Sequence, residues 1–173
     1  MQHYHKSTLT RGFTLIEILI SLVILGMMMA AVGLAFNASV TNYTSNANMF
    51  QAMSTARQAM MRMTSDLRTA TAVSSTEPAT QCSMTTADGR NITYQFDAAN
   101  NRLNLVVNGS GVNAGTYVLC RNVSALTFTR TSAPADPPDH PLAYVKNVRI
   151  NMSVTVGNEV QTVASAAVIR RNM

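Results

Sequence analysis

The sequence Arg11-Gly12-Phe13-Thr14-Leu15-Ile16-Glu17 begins a long apolar run that continues to Phe36. Between Phe13 and Phe36 the only ionisable side chain is Glu17. As an α-helix with a rise of about 1.5 Å per residue, the run would be roughly 36 Å long, which is enough to cross a bilayer core of about 30 Å. The sequence therefore predicts a membrane-spanning helix near the start of the chain.

Glu17 is unusual in this run, because a charged group in hydrocarbon costs about 2.5–3.5 kcal/mol even on the mildest scale. Such a residue is usually functional and needs a cationic partner. A cut between Gly12 and Phe13 would create an α-amino group one helical turn before Glu17, and the two charges would attract strongly in a low dielectric. We expect the Phe13 amine of a neighbouring copy, shifted along the helix axis, to pair with Glu17. The alternative is a carboxylate that reaches the lipid headgroups at the membrane edge.

The segment Gly12-Phe13-Thr14-Leu15-Ile16-Glu17, with the apolar run behind it, resembles the class III signal of type IV pilins and type II secretion pseudopilins. The resemblance implies that a prepilin peptidase cuts after Gly12 and methylates the new N-terminal Phe13. It also implies that Phe13, Thr14 and Glu17 take part in subunit assembly. The motif is specific, because the glycine, the phenylalanine, the glutamate and the apolar run must all coincide, and it covers only the N-terminal part of the chain.

Gly26 and Gly33 are the helix-weakening positions of the apolar run, since glycine costs about 1 kcal/mol relative to alanine in a helix interior. The resemblance implies that this segment partly unwinds when the subunit moves from the bilayer into a filament. Close packing of neighbouring helices, which small residues permit, is the alternative explanation.

Residues 1–12 form a short polar leader in which Lys6 and Arg11 precede the apolar run. Because basic residues stay on the cytoplasmic side, we expect a single-pass inner-membrane protein whose head lies in the periplasm. After assembly the subunit would lie in a pilus or pseudopilus. An ordinary secretory signal, cut near Ala35, is the alternative; the length of the apolar run and the presence of Glu17 argue against it.

Residues 37–72 are predicted to continue the helix in amphipathic form. Apolar side chains recur there every three or four positions, at Phe36, Val40, Tyr43, Ala47, Phe50, Met53, Met60, Met63 and Leu67. Pro78 prevents the helix from continuing further. The predicted organisation is a leader (1–12), a transmembrane and assembly helix (13–36), its amphipathic continuation (37–72) and a globular β-rich head (73–173).

The head is predicted to be antiparallel β-structure, because short apolar segments alternate with turn residues. The clearest alternation runs from Val148 to Val156, so we expect every second side chain, beginning with Val148, to face the core. The other predicted strands are 92–96, 103–107, 117–120, 125–128 and 160–169. One sheet laid on the second half of the long N-terminal helix predicts an α+β fold of pilin-like architecture.

Cys82 and Cys120 both follow the apolar run, so an exported head would place both in an oxidising compartment. We therefore predict a disulfide between them, which would tie the segment after the helix to a central strand. Two free thiols are the alternative.

The sequence contains no catalytic constellation: it has no nucleophile elbow, Walker-type phosphate loop or C-x-x-C pair. The proline-rich segment 131–141 holds Asp136, Asp139 and His140, which would make at most a weak metal site, and a solvated loop is the favoured interpretation. Exposed loops often carry partner contacts, so this loop is the first candidate for a recognition surface. We predict that the protein is not an enzyme and takes no metal or cofactor.

Two further segments resemble minor pilins of the W type and pseudopilins of the J type. They are the run 57–68, which contains Ser65-Asp66-Leu67-Arg68, and the C-terminal Val168-Ile169-Arg170-Arg171-Asn172. They imply a minor subunit that primes or tips a type IV pilus. The alternatives are a minor pseudopilin of a type II secretion system, and a membrane-anchored module that binds DNA or a surface ligand without polymerising.

The partners implied by the resemblance are other pilins or pseudopilins, the prepilin peptidase and an inner-membrane assembly platform. The net charge is only +5 and the basic residues are scattered, apart from the adjacent Arg170 and Arg171. This distribution is a weak footprint for nucleic acid, so DNA is the least favoured partner.

Overall fold

A computed structural model describes residues 12–109, 113–134 and 144–169. Its elements, in chain order, are α1 (Leu15–Thr69), β1 (Ala72–Val73), β2 (Gln81–Thr85), β3 (Asn91–Asp97), β4 (Arg102–Asn108), β5 (Gly115–Arg121), β6 (Val123–Ala133), β7 (Tyr144–Val156) and β8 (Glu159–Val168). A long N-terminal helix followed by antiparallel sheets confirms the predicted α+β, pilin-like architecture. The chain divides into two compact units, Met1–Thr44 and Ser45–Met173.

The described part of the first unit is the beginning of α1. Every side chain from Gly12 to Thr44 is exposed. Among the described residues, α1 alone is long and apolar enough to cross a membrane by length and composition. This agrees with the membrane span predicted from Phe13 to Phe36.

The helix ends at Thr69, slightly before the predicted end at residue 72. The amide of Thr71 donates to the carbonyl of Thr85 at 2.9 Å, and Ala72 is the register partner of Thr85 in β2. Since each backbone amide satisfies its hydrogen-bonding need only once, pairing with β2 takes these residues out of the helix. The sequence pattern of residues 70–73 does not predict this pairing with β2.

In the second unit, the remainder of α1 packs against the sheets of the head through one line of small and medium side chains. Its buried residues are Ala52, Ala56, Ala59, Met60, Met63, Thr64 and Leu67. Met60, Met63 and Leu67 therefore confirm the predicted stripe. Phe50 does not: it is 76% exposed, because it lies about 200° around the helix from Ala52.

The first sheet has five strands in the order β1-β2-β3-β4-β5, and all neighbouring strands are antiparallel. Its largest fully buried side chain is Tyr94 in β3. The hairpin predicted from residues 92–96 and 103–107 is confirmed as β3 and β4. The sequence analysis missed β1 and β2, and β2 pairs along its whole length with β3, from Gln81 opposite Gln95 to Thr85 opposite Asn91.

The second sheet has three antiparallel strands in the order β6-β7-β8. The prediction of one sheet was therefore wrong, since the strands divide into two sheets after β5. The alternation predicted for β7 is confirmed: Val148, Ile150, Met152 and Val154 are buried, while Arg149 and Asn151 are exposed. The two sheets contribute to the same hydrophobic core as α1.

Candidate processing and assembly site

The described residues that precede α1 are Gly12, Phe13 and Thr14. The carbonyl of Thr14 accepts hydrogen bonds from the amides of Glu17 at 3.1 Å and Ile18 at 3.3 Å. Thr14 therefore begins the helix as its N-cap, a position that threonine favours. Glu17 lies in the first helical turn, where the positive end of the helix dipole favours a negative charge.

The predicted cleavage site lies in accessible chain just ahead of the helix. Gly12 and Phe13 are both exposed, and Phe13 is exposed by 79% of its surface. No atom lies within 4 Å of the position that a Cβ on Gly12 would occupy. The peptide bond between Gly12 and Phe13 is therefore not held in regular structure, and a peptidase that needs an extended segment meets no helix to unwind there.

Glu17 is exposed, and its main-chain groups are bonded: the amide donates to the Thr14 carbonyl at 3.1 Å, and the carbonyl accepts the Ser21 hydroxyl at 2.7 Å. Among the described residues, no hydrogen bond or salt bridge reaches its carboxylate. A carboxylate held in an apolar segment needs a cation to offset its desolvation. The described chain does not supply that cation.

The described side chains of the apolar run are exposed. Its large exposed side chains include Phe13, Leu15, Ile16, Leu22, Met27, Leu34 and Phe36, each exposed by more than half of its surface. A continuous apolar surface of this length indicates contact with a membrane or with other proteins. Both the membrane prediction and the assembly prediction need such a surface.

Gly26 and Gly33 lie within an unbroken stretch of α1. Nothing lies within 4 Å of the position that a Cβ would occupy at either glycine. The fold of one chain therefore gives no packing reason for a glycine at these positions. The predicted helix-weakening role, which is a property of the glycine backbone, and the alternative of close packing with neighbouring helices are both consistent with this open space.

The predicted disulfide between Cys82 and Cys120 does not form, and both residues are free, buried thiols. Cys82 lies on β2 and Cys120 on β5, with β3 and β4 between them. At about 4.8 Å per strand their backbones are roughly 14 Å apart, whereas a disulfide requires Cα atoms within about 7 Å. The order of the strands, which the cysteine count does not reveal, excludes the bond.

Each thiol has a separate environment in the head. Burial raises the pKa of the Cys82 thiol to about 11, although the neighbouring Arg130 guanidinium opposes the rise. Burial also raises the pKa of Cys120, whose sulfur lies 3.7 Å from the Thr55 hydroxyl. Neutral, buried thiols of this kind are chemically inert.

Arg130 links the two sheets, a role that the sequence analysis missed. From β6, its guanidinium donates to the carbonyl of Glu77 at 3.0 Å and to the carbonyl of Gln81 at the start of β2. Close by, the amide of Phe128 donates to the carbonyl of Ala79 at 2.7 Å. In a strand with a side-chain period of two, Arg130 lies on the same face as the buried Leu126 and Phe128. A charged residue at a core-facing position needs a buried partner, and that was the signal in the sequence that could have marked Arg130.

The loop predicted over residues 131–141 begins later than expected, because Thr131, Ser132 and Ala133 pair with β7 and belong to β6. Residues 135–141, with the Asp136, Asp139 and His140 proposed as a weak metal site and recognition surface, lie outside the described residues. So do Arg170 and Arg171. Across residues 12–109, 113–134 and 144–169, no group of three or more histidine, cysteine, aspartate or glutamate side chains could hold a metal ion.

Comparison with known families identifies one motif in this chain. The model of the prokaryotic N-terminal methylation motif matches residues 9–33. No curated protein gives a significant match to the chain. The matched segment contains Gly12, Phe13 and Glu17, and it ends at Gly33 in the apolar part of α1. The N-terminal motif therefore indicates a processed, membrane-anchored subunit of the type IV pilin or pseudopilin kind.

Proposed function

We propose that this chain is a minor pilin-like subunit that primes or tips a type IV pilus. In this proposal, α1 holds the precursor in the inner membrane and the head lies in the periplasm. Prepilin peptidase cuts between Gly12 and Phe13 and methylates Phe13, and an inner-membrane platform inserts the subunit among other pilins. The observation that carries the proposal is the Glu17 carboxylate, which has no partner among the described residues and lies on an exposed apolar helix.

Cleavage would supply the missing partner. The new α-amino group of Phe13 is a cation at the start of a helix whose first turn carries Glu17. In one chain the amine lies at the helix terminus and the carboxylate one turn further on. Two copies shifted along their axes would place the amine of one beside the carboxylate of the other, where a low dielectric strengthens the attraction. The same pair would set the register between subunits.

The resemblance of residues 57–68 to minor subunits favours a minor role over a major one. In the head, Leu67 from this run is fully buried. Asp66 accepts a hydrogen bond from the hydroxyl of Tyr94 at 2.5 Å, and Arg62 lies 4.0 Å from the same carboxylate. The run thus contains the residues that fix α1 onto β3. A minor pseudopilin of a type II secretion system shares the same N-terminus and is the second assignment.

We propose no enzymatic activity and no cofactor. A membrane-anchored module that binds DNA or a surface ligand without polymerising is the alternative from another class. Salt-dependent DNA binding by the full chain would favour that alternative, because neutralised phosphates release counterions.

The first test is the intact mass and N-terminal sequence of the protein recovered from its own cell envelope. A chain that begins at Phe13 and carries one added methyl group is the expected result. A chain that begins at Met1, or one cut near Ala35, would contradict prepilin processing.

The second test is assembly of Glu17 variants. Removing one partner of a buried ion pair costs about 3–5 kcal/mol, so Glu17→Ala and Glu17→Gln should lower incorporation into the filament at least about tenfold. Membrane insertion should not change. Ser21→Ala is the matched control, because the Ser21 hydroxyl bonds only the Glu17 carbonyl of its own helix. Normal assembly of the Glu17 variants would rule out the charge pair.

Deletion of the gene tests whether the subunit serves a type IV pilus or a type II secretion system. Loss of surface pili with intact protein secretion supports the pilus assignment, whereas loss of secretion with intact pili supports the pseudopilus.

A further inference from the structure

Strand β8 forms the outer edge of the three-stranded sheet. It pairs with β7 along its whole length, from Val168 opposite Asn147 to Glu159 opposite Val156, and the register is not interrupted by a bulge. Within the described residues, no main-chain hydrogen bond is recorded on its other side. Among the described residues, its outward amide and carbonyl groups therefore have no strand partner and can pair with another strand.

The devices that usually protect an edge strand are absent from β8. After Glu159 the strand reads Val-Gln-Thr-Val-Ala-Ser-Ala-Ala-Val, without a charged residue or a proline. The opposite edge of the same sheet is covered, since the amide of Phe128 in β6 donates to Ala79 at 2.7 Å and the amide of Val123 donates to Asn101 at 3.0 Å. One edge of this sheet is thus closed by the fold, and the other is left open.

A groove runs between β8 and the flank of α1. Its β8 wall is formed by Val163 and Ser165, and the hydroxyl of Ser165 lies 3.1 Å from that of Thr64 on α1. The side chains of β8 in this wall, including Ala164, are small, and the groove holds a cavity of about 640 Å³ that Met60 and Met61 of α1 also line.

The groove continues along α1 into a second cavity of about 580 Å³, which shares Met61 and Arg57 with the first. Phe50 and Met53 line this part, together with Gln161 of β8. Phe50 is 76% exposed and Met61 is 65% exposed. We call β8 and these two joined cavities the β8 groove. Methionine side chains adapt to differently shaped ligands, which suits a peptide-binding surface.

The β8 groove is positively charged. Arg57 and Arg68 of α1 line it, and none of its lining residues is acidic. A partner segment that carries an aspartate or glutamate would find a cation at this wall, and a basic segment would be repelled.

We propose that the β8 groove binds an extended acidic segment of a different polypeptide, which adds to the sheet as a fourth strand beside β8. Hydrogen bonds from the free edge of β8 give affinity, and alternate side chains of the partner enter the methionine-lined cavities, which give selectivity. An acidic side chain of the partner pairs with Arg57 or Arg68. This surface is separate from the processed N-terminus, so the proposal goes beyond the proposed function and can fail or succeed independently of it.

The test begins with a random-peptide display selection against the full chain in detergent micelles, with the Met61→Glu variant used to remove peptides that bind elsewhere. The expected peptides alternate apolar and polar residues with a period of two and contain aspartate or glutamate. Apolar residues with the three-to-four spacing of a helix would overturn the strand model. So would the recovery of no peptide that prefers the wild type to Met61→Glu.

Synthetic peptides from the selection then measure the contributions separately. Met61→Glu should weaken binding at least about tenfold, whereas Gln51→Glu, which adds the same charge at an exposed α1 position outside the groove, should change it less than about twofold. N-methylation of alternate peptide amides should weaken binding about tenfold for the set that faces β8. Arg57→Glu with Arg68→Glu should reverse the preference from acidic to basic peptides. Equal binding by Met61→Glu and Gln51→Glu would overturn the proposal.

Hydrogen exchange on the full chain identifies the strand that is covered. The amides of Glu159–Val168 should exchange more slowly when the wild-type chain binds the peptide. A bound peptide that leaves these amides unprotected would overturn the added strand. Protection of β8 that increases with protein concentration, without any peptide, would show that a second copy occupies the edge and would also overturn the proposal.

Discussion

At the scale of single residues, the contact that best explains the docking of α1 is the hydrogen bond from Tyr94 to Asp66. Tyr94 is the largest fully buried side chain of the described head, and its hydroxyl donates to the Asp66 carboxylate at 2.5 Å. Burial, reinforced by this hydrogen bond, raises the pKa of Tyr94 above its ordinary value of 10.0. The phenol therefore stays protonated and keeps its role as donor throughout the physiological pH range.

Tyr94→Phe tests this contact. We expect a loss of about 1.5–3 kcal/mol in the free energy of unfolding, because a hydrogen bond to a charged group is lost and Asp66 is left without that donor. The measurement is urea unfolding of the full chain in micelles. Tyr117→Phe is the matched control, since the Tyr117 hydroxyl is exposed and bonds only the Asn113 carbonyl, at 3.2 Å. An equal, small effect of the two substitutions would contradict the structural importance of the Asp66 contact.

Residue identity alone predicted the N-terminal site but not the state of the cysteines. Gly12, Phe13 and Glu17 are close in sequence, so their arrangement follows from one segment and one helical turn. Whether Cys82 and Cys120 can bond depends on the number of strands between β2 and β5, which is a long-range property of the fold. Oxidising surroundings therefore gave the wrong expectation for two thiols on strands that are separated by β3 and β4.

At the scale of elements, α1 combines two different surfaces in one continuous helix. Before Thr44 it is exposed on all sides, and from Ala52 onward it presents a buried line to the head. Gly26 and Gly33 belong to the first surface, where no neighbouring atom explains their lack of a side chain. Their role must therefore be tested in the assembled state.

Gly26→Ala with Gly33→Ala should stabilise the helix by about 1 kcal/mol per position and lower the yield of assembled filament without changing membrane insertion. Adding Ala30→Gly to this double variant restores one flexible helix position. It does not restore a glycine at position 26 or 33, where a neighbouring helix would pack closely. Rescue of assembly by Ala30→Gly would support unwinding, and its failure would support close helix packing. Wild-type yield from the double alanine variant would contradict both explanations, and filament yield per inserted subunit is the measurement.

The strands were predictable where the pattern was strong. In β7 the alternation of large apolar and polar residues extends over many positions, and the structure follows it from Val148 to Val154. In β2 the sequence Gln-Cys-Ser-Met-Thr alternates too, and Cys82 and Met84 are buried. The strand is short and its apolar members are few, so its existence depends on pairing with β3 rather than on its own propensity.

At the scale of the whole molecule, the described head is held together without a covalent cross-link. Its stability rests on one hydrophobic core shared by α1 and both sheets, and on the Arg130 bonds between β6 and the start of β2. The division into two sheets could not be predicted, because each strand's own pattern says which face is buried and does not say which strand lies beside it.

The buried thiols make this stability dependent on pH. The pKa of Cys82 is about 11 in the folded head and 9.0 for an ordinary thiol. The folded chain thus holds the proton more tightly, so the contribution of Cys82 is fully present below about pH 9 and is lost as the pH rises toward 11. We expect stability to fall above about pH 9 by up to about 1.4 kcal/mol per pH unit from this group.

Urea unfolding of the full chain from about pH 8 to about pH 10 measures this slope, and comparison with a Cys82 variant separates the thiol from the tyrosines, whose ordinary pKa is about 10. Cys82→Ala should reduce the slope even if it lowers the absolute stability. A reducing agent is the control, and it should leave the unfolding curve unchanged because the structure contains no Cys82–Cys120 bond to break. A flat pH profile of the wild type, or destabilisation by the reductant, would contradict the structure.

The order of the strands has a further consequence, for how the head folds. In both sheets every described strand pairs with the strand that precedes or follows it in the chain. Contacts between neighbours in sequence close small loops and form quickly. Each hairpin can therefore form as soon as its own residues are free to fold, without waiting for the rest of the head. Because no cross-link must be made, we expect the head to mature at the same rate in cells that lack the machinery for oxidising thiols.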